Sequence, residues 1–212
     1  GRQRETDEEF RDRYYASVDF AGGVNTDAIR PALLQNVEGI MDAQVFENIT
    51  DETDAYGLPP HSIEAVVYGG LETDIAQQIF DRAAGGIRTF GQVSVPVIMA
   101  NGDTTTICFS RPRPVQVYVR VINLVTSSNF PHDGNDRLVA AIVNYIGSQE
   151  AGGVGVGETL YHQRIPAVLY TVPGVLDFDI LLGTSPDDLQ EQNIEVDSRS
   201  KVVTEEGMVS IA

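Results

Sequence analysis

The stretch "PALLQNVEGIMDAQV", residues 31–45, changes character half-way along, and "PAVLYTVPGVLDFDI", residues 166–180, changes in the same way. Aligned at a constant offset, the two share Pro, Ala, Leu, Val, Gly and Asp at six of fifteen positions, and most other pairs are apolar on apolar. Each reads as the end of a helix, a glycine in the left-handed position past its last turn, and a strand that begins at once. Glycine suits Gly39 and Gly174 because it has no Cβ to clash in that conformation. Two such junctions, with helices and strands on both sides, predict an α+β protein of two small mixed subdomains.

Around the first junction, "TDAIRPALLQN" predicts a helix capped by Asn25 or Thr26. Pro31 removes a helical hydrogen bond, so a late start or a kink is expected there. "IMDAQVFEN" and "SIEAVVYGG" predict two strands joined by the polar loop "ITDETDAYGLPPH". "TDIAQQIFDRAAGG" returns to helical spacing, with Ile75, Ile79 and Phe80 apolar, Thr73 at the start and Gly85 and Gly86 at the stop. "QVSVPVIMANGDTTTICFS" predicts a β-hairpin turning at Asn101, Gly102 and Asp103, with Pro96 marking an edge or a bulge.

Around the second junction, "VQVYVRVINLV" predicts one strand with Val115, Val117, Val119 and Val121 on its core face. "NDRLVAAIVNYIG" predicts a helix with Leu138, Val139, Ile142, Val143 and Ile146 on one side. Ahead of both, "ETDEEFRDRYYASVDF" predicts a helix with a Thr6–Glu9 capping box and a narrow stripe of Phe10, Tyr14 and Val18, suited to lying across a neighbour.

The expected organisation is a linking helix over 1–22, an α-β-β-α subdomain over 23–90, the hairpin over 91–112, a β-α-α-β subdomain over 113–184, and C-terminal strands or tail over 185–212. The two subdomain orders are circular permutations of one another, which suggests a duplicated unit cut at different places. Helix–glycine–strand junctions of independent origin give the same pattern, so both origins stay open.

At 212 residues the chain can bury one sizeable core or two small ones. Its net charge is −17 and its pI about 4.3. Lys201 is the sole lysine, and the densest arginine group, Arg2, Arg4, Arg11 and Arg13, is interleaved with acidic residues. Counterion release from phosphates needs clustered positive charge, so neither nucleic acid nor an anionic membrane is an expected partner. Cys108 is the lone cysteine, which excludes an internal disulfide and fits a reducing cytoplasm. The polar opening "GRQRETDEEF" is not expected to be a signal peptide, and no apolar run reaches the length of a membrane span.

The glycine-rich stretch "AGGVGVGETL", residues 151–160, invites comparison with phosphate-cradling loops. Those loops join a strand to a helix, whereas this one joins two predicted helices, and it has "GET" where a P-loop has Gly-Lys-Ser/Thr. The glycines are expected to turn the chain. His61, His132 and His162 lie far apart, without metal-ligand spacing. Asp51, Glu52 and Asp54 form an acidic loop that lacks the glycine and closing glutamate of an EF-hand, so a solvated loop is expected rather than a calcium site. Asp177 and Asp179 share a strand face as a general acid–base pair would, but a chain with 31 acidic residues holds such pairs by chance. Cys108 alternates with Thr106 and Ser110, opposite Ile107 and Phe109, and reads as a small strand residue. No catalytic residue, cofactor or metal is expected.

Residues 1 to about 126 carry "GRQRETDEEFRDRY", "NVEGIMDAQVFENITDETDAYGLPPHSIEAVVYGG", "GGIRTFGQVSV" and "FSRPRPVQVYVRV" in that order. This series resembles the baseplate J family of contractile-tailed bacteriophages, in its Mu-like branch. From there to Ala212 the resemblance rests on the "VPGV" junction and the general pattern. Family members are longer, so the resemblance implies that this chain corresponds to their central and C-terminal part. It also implies a non-enzymatic wedge subunit of the tail baseplate, made in the bacterial host cytoplasm and placed in the virion tail. Its partners would be other wedge and sheath-end proteins and neighbouring copies of itself. The equivalent part of a tailocin or other phage-derived injection device is the alternative, and a ligand-binding or enzymatic module built on residues 151–160 is the alternative from another class.

Overall fold

A computed structural model describes residues 26–83, 87–148 and 152–212. The helix expected over 1–22 and the glycines expected to end the second helix, Gly85 and Gly86, lie outside the described residues. The fold is α+β, and the chain divides into two units: one holds the chain up to Ala65 together with Gly70–Ser110, the other Val66–Gly69 with Arg111–Ala212.

In the first unit, α1 (Thr26–Asn36) runs through Pro31 without the expected late start. The ring sits on the exposed side, while Ile29 and Leu33 are buried. The missing N–H therefore costs one bond near the N-terminal end and no core contact. Gly39 takes φ +78°, and β1 (Ile40–Asn48) starts immediately after it. β2 (Ser62–Gly69) follows, its first four residues in this unit and its last four in the second, then α2 (Glu72–Arg82) and the short β3 (Arg88–Phe90), giving a sheet of order β1-β2-β3 with β3 parallel to β2.

Thr73 does not cap α2. Leu71 occupies that position without a side-chain bond, and Thr73 Oγ1 instead donates to the Asp74 carboxylate. Glu72 and Asp74 supply negative charge to the first turn, which favours the exposed amides there. At the other end Ala83 turns extended and stops the helix before the glycines are reached.

The hairpin pairs β4 (Val93–Ile98) with β5 (Thr104–Phe109) in unbroken register, so Pro96 sits opposite Thr106 on an edge and not in a bulge. Val95, Val97, Ile107 and Phe109 point into the core, and α2 packs on both strands through Ile75, Ala76 and Ile79. Burying side chains of this size contributes about 1.5–3 kcal/mol each. Ser110, expected beside Cys108 on the outer face, is buried instead, and its Oγ donates to the Glu64 carboxylate at 2.6 Å.

In the second unit the expected single strand over residues 115–125 is two strands. β6 (Arg113–Gln116) pairs in parallel with β10 (Ser200–Val203), and β7 (Tyr118–Thr126) lies in a sheet of order β11-β7-β8-β9. The division falls at Val117, whose N–H is taken by the Val203 carbonyl, so the chain changes partner there. Val117, Val119 and Val121 are buried as expected, while Val115 is only half-buried. β8 (Val175–Ser185) and β9 (Asp188–Gln190) continue the sheet antiparallel, and β11 (Val209–Ile211) adds a parallel edge beside β7.

The core of this unit forms between that sheet, α3 (Gly134–Ile146) and the short α4 (Ile165–Leu169). Leu138, Ile142 and Ile146 of α3 are fully buried; Val139 and Val143 flank that stripe and are half-exposed. Residues expected as α-β-β-α hold α1-β1-β2-α2-β3, and those expected as β-α-α-β hold β6-β7-α3-α4-β8, so each stretch carries one strand more than its expected order.

Candidate functional site

The acidic loop is folded on its own hydrogen bonds. The Asn48 side chain, 5 % exposed, donates to the carbonyls of Glu52 and Leu58 and accepts from Thr50. Asp54 Oδ1 accepts the N–H groups of Tyr56 and Leu58, both at 2.8 Å. Asp51 pairs instead with His61, at 2.8 Å, on the far side of the loop. Asp51 and Asp54 therefore serve different partners, Glu52 takes part through its backbone carbonyl, and among the described residues no group of three potential metal ligands converges.

The other sequence candidates are dispersed. Asp177 and Asp179 are exposed, the first accepting the Phe178 N–H and the second the Asn123 side-chain amide. Cys108 is half-buried, with its Sγ 3.4 Å from Ser94 Oγ. His132 is exposed beside α3, whereas the ring of His162 places Nε2 2.7 Å from the Ile180 carbonyl. That contact requires the proton on Nε2.

The glycine-rich segment runs from α3 to a 3-10 turn at His162–Arg164 and is occupied from within. The amides of Val154, Gly157 and Leu160 go to the carbonyls of Ile146, Ser200 and Ile194, and that of Gly155 goes to the Glu158 carboxylate. Its carbonyls face a cation. Lys201, 1 % exposed on β10, donates its ammonium to the carbonyls of Gly152 and Val154 and lies 4.9 Å above the Tyr68 ring. The Tyr68 hydroxyl donates to the Ser148 carbonyl, and burial raises its pKa, which keeps the donated proton in place. A loop built this way is ordered by an internal positive charge, the inverse of a phosphate cradle. Sequence reasoning missed Lys201 because burial of a lone lysine has no local signature.

Beside Lys201, the turn Asp197–Ser200 holds a second polar cluster. Burial pushes the Asp197 carboxyl up, but Ser200 Oγ at 2.6 Å, the Arg199 N–H at 2.9 Å and Arg113 at 2.9 Å hold it below the usual carboxylate range. A carboxylate with a folded pKa below its unfolded value of about 3.9 stabilises the fold above that pH and loses the contribution as pH falls through the folded value. Asp197→Asn is therefore expected to flatten the acid limb of the stability curve. At neutral pH it should cost about 1 kcal/mol, the side chain being partly open to solvent. Urea unfolding from pH 7 down to pH 2 checks this, and curves of the same shape for both proteins would remove Asp197 from the account.

Two cavities lie within the second unit. One, of about 490 Å³, is walled by Tyr68, Arg111, Pro114, Val203 and Met208, with Glu205 among the polar residues lining it. Arg111 is committed to the end of β2 through the carbonyls of Val67 and Gly69. The other, of about 460 Å³, lies between Tyr161–Arg164 and Glu191–Asn193 and is mainly polar. No protein-family model matches this chain, and no curated protein sequence matches it.

Proposed function

We propose that this chain is a structural subunit of a bacteriophage contractile-tail baseplate wedge, working through contacts with other proteins and carrying out no reaction of its own. The observation that carries the reading is the ordered series of baseplate J-like segments over residues 1 to about 126. Features of the folded chain support it. "GLPPHSIE" closes the self-bonded loop and opens β2, so these residues set the shape of a surface. Ile49 and Ile98, each about three-quarters exposed, are apolar anchors of the kind neighbouring subunits cover. A net charge of −17 selects partners and their orientation more than it sets affinity.

The test is made on tail particles purified from the phage or prophage that encodes the chain. Mass spectrometry is expected to find it in fixed ratio with sheath-end proteins, and deleting its gene should leave heads without contractile tails. Tails that assemble and contract without it would overturn the reading. Particles that carry it but never carry heads would assign it to a tailocin. The competing ligand-binding reading predicts a saturable rise in thermal midpoint with nucleotide or calcium, because a ligand selective for the folded state must stabilise it.

A further inference from the structure

The polar cleft of the second unit has fixed walls. Leu160 and Ile194 exchange two backbone hydrogen bonds of 3.0 Å each, and Asn193 Oδ1 accepts the His162 N–H at 3.0 Å, so the segments 161–164 and 191–193 are locked face to face. Leu160 and Ile165, both fully buried, anchor the first wall from beneath. The His162 ring is pinned through Nε2 to the Ile180 carbonyl.

On this scaffold Gln163, Glu191 and Gln192 line the cleft, and their side chains make no hydrogen bond to another described residue. Each amide offers both a donor and an acceptor. Arg164 lies 4.8 Å from the centre of the Tyr161 ring, which is itself half-exposed. Arg164 and Glu191 put opposite charges on the two walls, so an ion of either sign gains little by entering. A neutral molecule dense in hydroxyl groups matches these features: side-chain amides and the Glu191 carboxylate for its hydroxyls, and the exposed part of the Tyr161 ring face for its C–H surface. The cavity of about 460 Å³ lies within the usual size of a small-ligand site.

We propose that this cleft is a saccharide-binding site, with Gln163, Glu191 and Gln192 as the hydroxyl-reading residues and Tyr161 as the platform. The proposal stands apart from the baseplate reading and uses the chain by itself. Glucose, galactose and N-acetylglucosamine are titrated against isotope-labelled protein to roughly 50 mM, enough to populate a millimolar site, with glycerol and inorganic phosphate alongside. The expected result is a saturable shift of the Gln163, Gln192 and Asn193 side-chain amide signals with at least one sugar and not with glycerol. Gln192→Ala and Tyr161→Ala should each weaken that binding roughly tenfold, the loss of about one good polar or stacking contact, and Gln192→Ala should do so with the thermal midpoint unchanged because its side chain is exposed. No shift with any of the three sugars overturns the proposal. So does an equal response to glycerol, and so does a response to phosphate alone, which would make the cleft an anion site.

Discussion

Gly174→Ala is expected to be the most damaging single change to the second unit, costing about 3–4 kcal/mol. Gly174 has φ +83°, and a Cβ there would lie 2.4 Å from the Phe130 nitrogen and 2.7 Å from its Cα. These are backbone atoms of the turn that leads into α3, held by the Ser127 N–H to the Gly174 carbonyl and the Phe130 N–H to the Ser127 carbonyl. No side-chain rotation relieves the overlap. The left-handed conformation costs about 1 kcal/mol, and forced displacement of packed backbone adds about 2–3 kcal/mol or more. Gly57→Ala separates the two contributions. Gly57 has φ +85° but nothing within 4 Å of its Cβ position, so its substitution should cost only the conformational part. Urea denaturation of both variants decides the matter. If Gly174→Ala proves no worse than Gly57→Ala, the close approach of the two turns does not constrain this fold.

Lys201→Met should be the next most damaging change, although methionine keeps the length and much of the apolar stem. The ammonium leaves, and the carbonyls of Gly152 and Val154 lose their buried donor; at about 1–3 kcal/mol for each unsatisfied group, a loss of about 2–4 kcal/mol is expected. The loop should loosen before the unit unfolds, so hydrogen exchange at Val154 and Gly157 is expected to rise in the variant by more than at Val119 or Val121. Lys201→Arg should not rescue it, because a planar guanidinium cannot occupy a cage shaped for a point charge. As the sole lysine, Lys201 also reports on itself. Amine acylation of the native protein should spare it, and labelling should follow unfolding. Rapid acylation under native conditions, or a Lys201→Met protein as stable as the parent, would show that the ammonium is not held as described.

Much of the second unit's core was legible because the signals are local. Val117, Val119 and Val121 alternate, and Leu138, Ile142 and Ile146 recur at helical spacing, so burial follows from period alone. The candidate cleft was not legible, since Gln163 and Gln192 are ordinary polar residues far apart in the chain. Only the Leu160–Ile194 bridge sets them opposite each other.

The sequence by itself determined the class of fold and its two helix–glycine–strand junctions, because a left-handed turn demands glycine at Gly39 and Gly174 whatever surrounds them. It determined the hairpin too, through alternation on either side of Asn101–Asp103. Tertiary structure alone decided that the valine-rich run breaks at Val117, that β3, β10 and β11 join as parallel partners, and that Lys201 is buried. Parallel pairing joins residues about 26 to 90 positions apart here, as Ser62 with Arg88 and Val209 with Val119 show. No local periodicity encodes which distant strand will offer its carbonyls, and no local pattern tells a lysine that a glycine-rich loop will close over it.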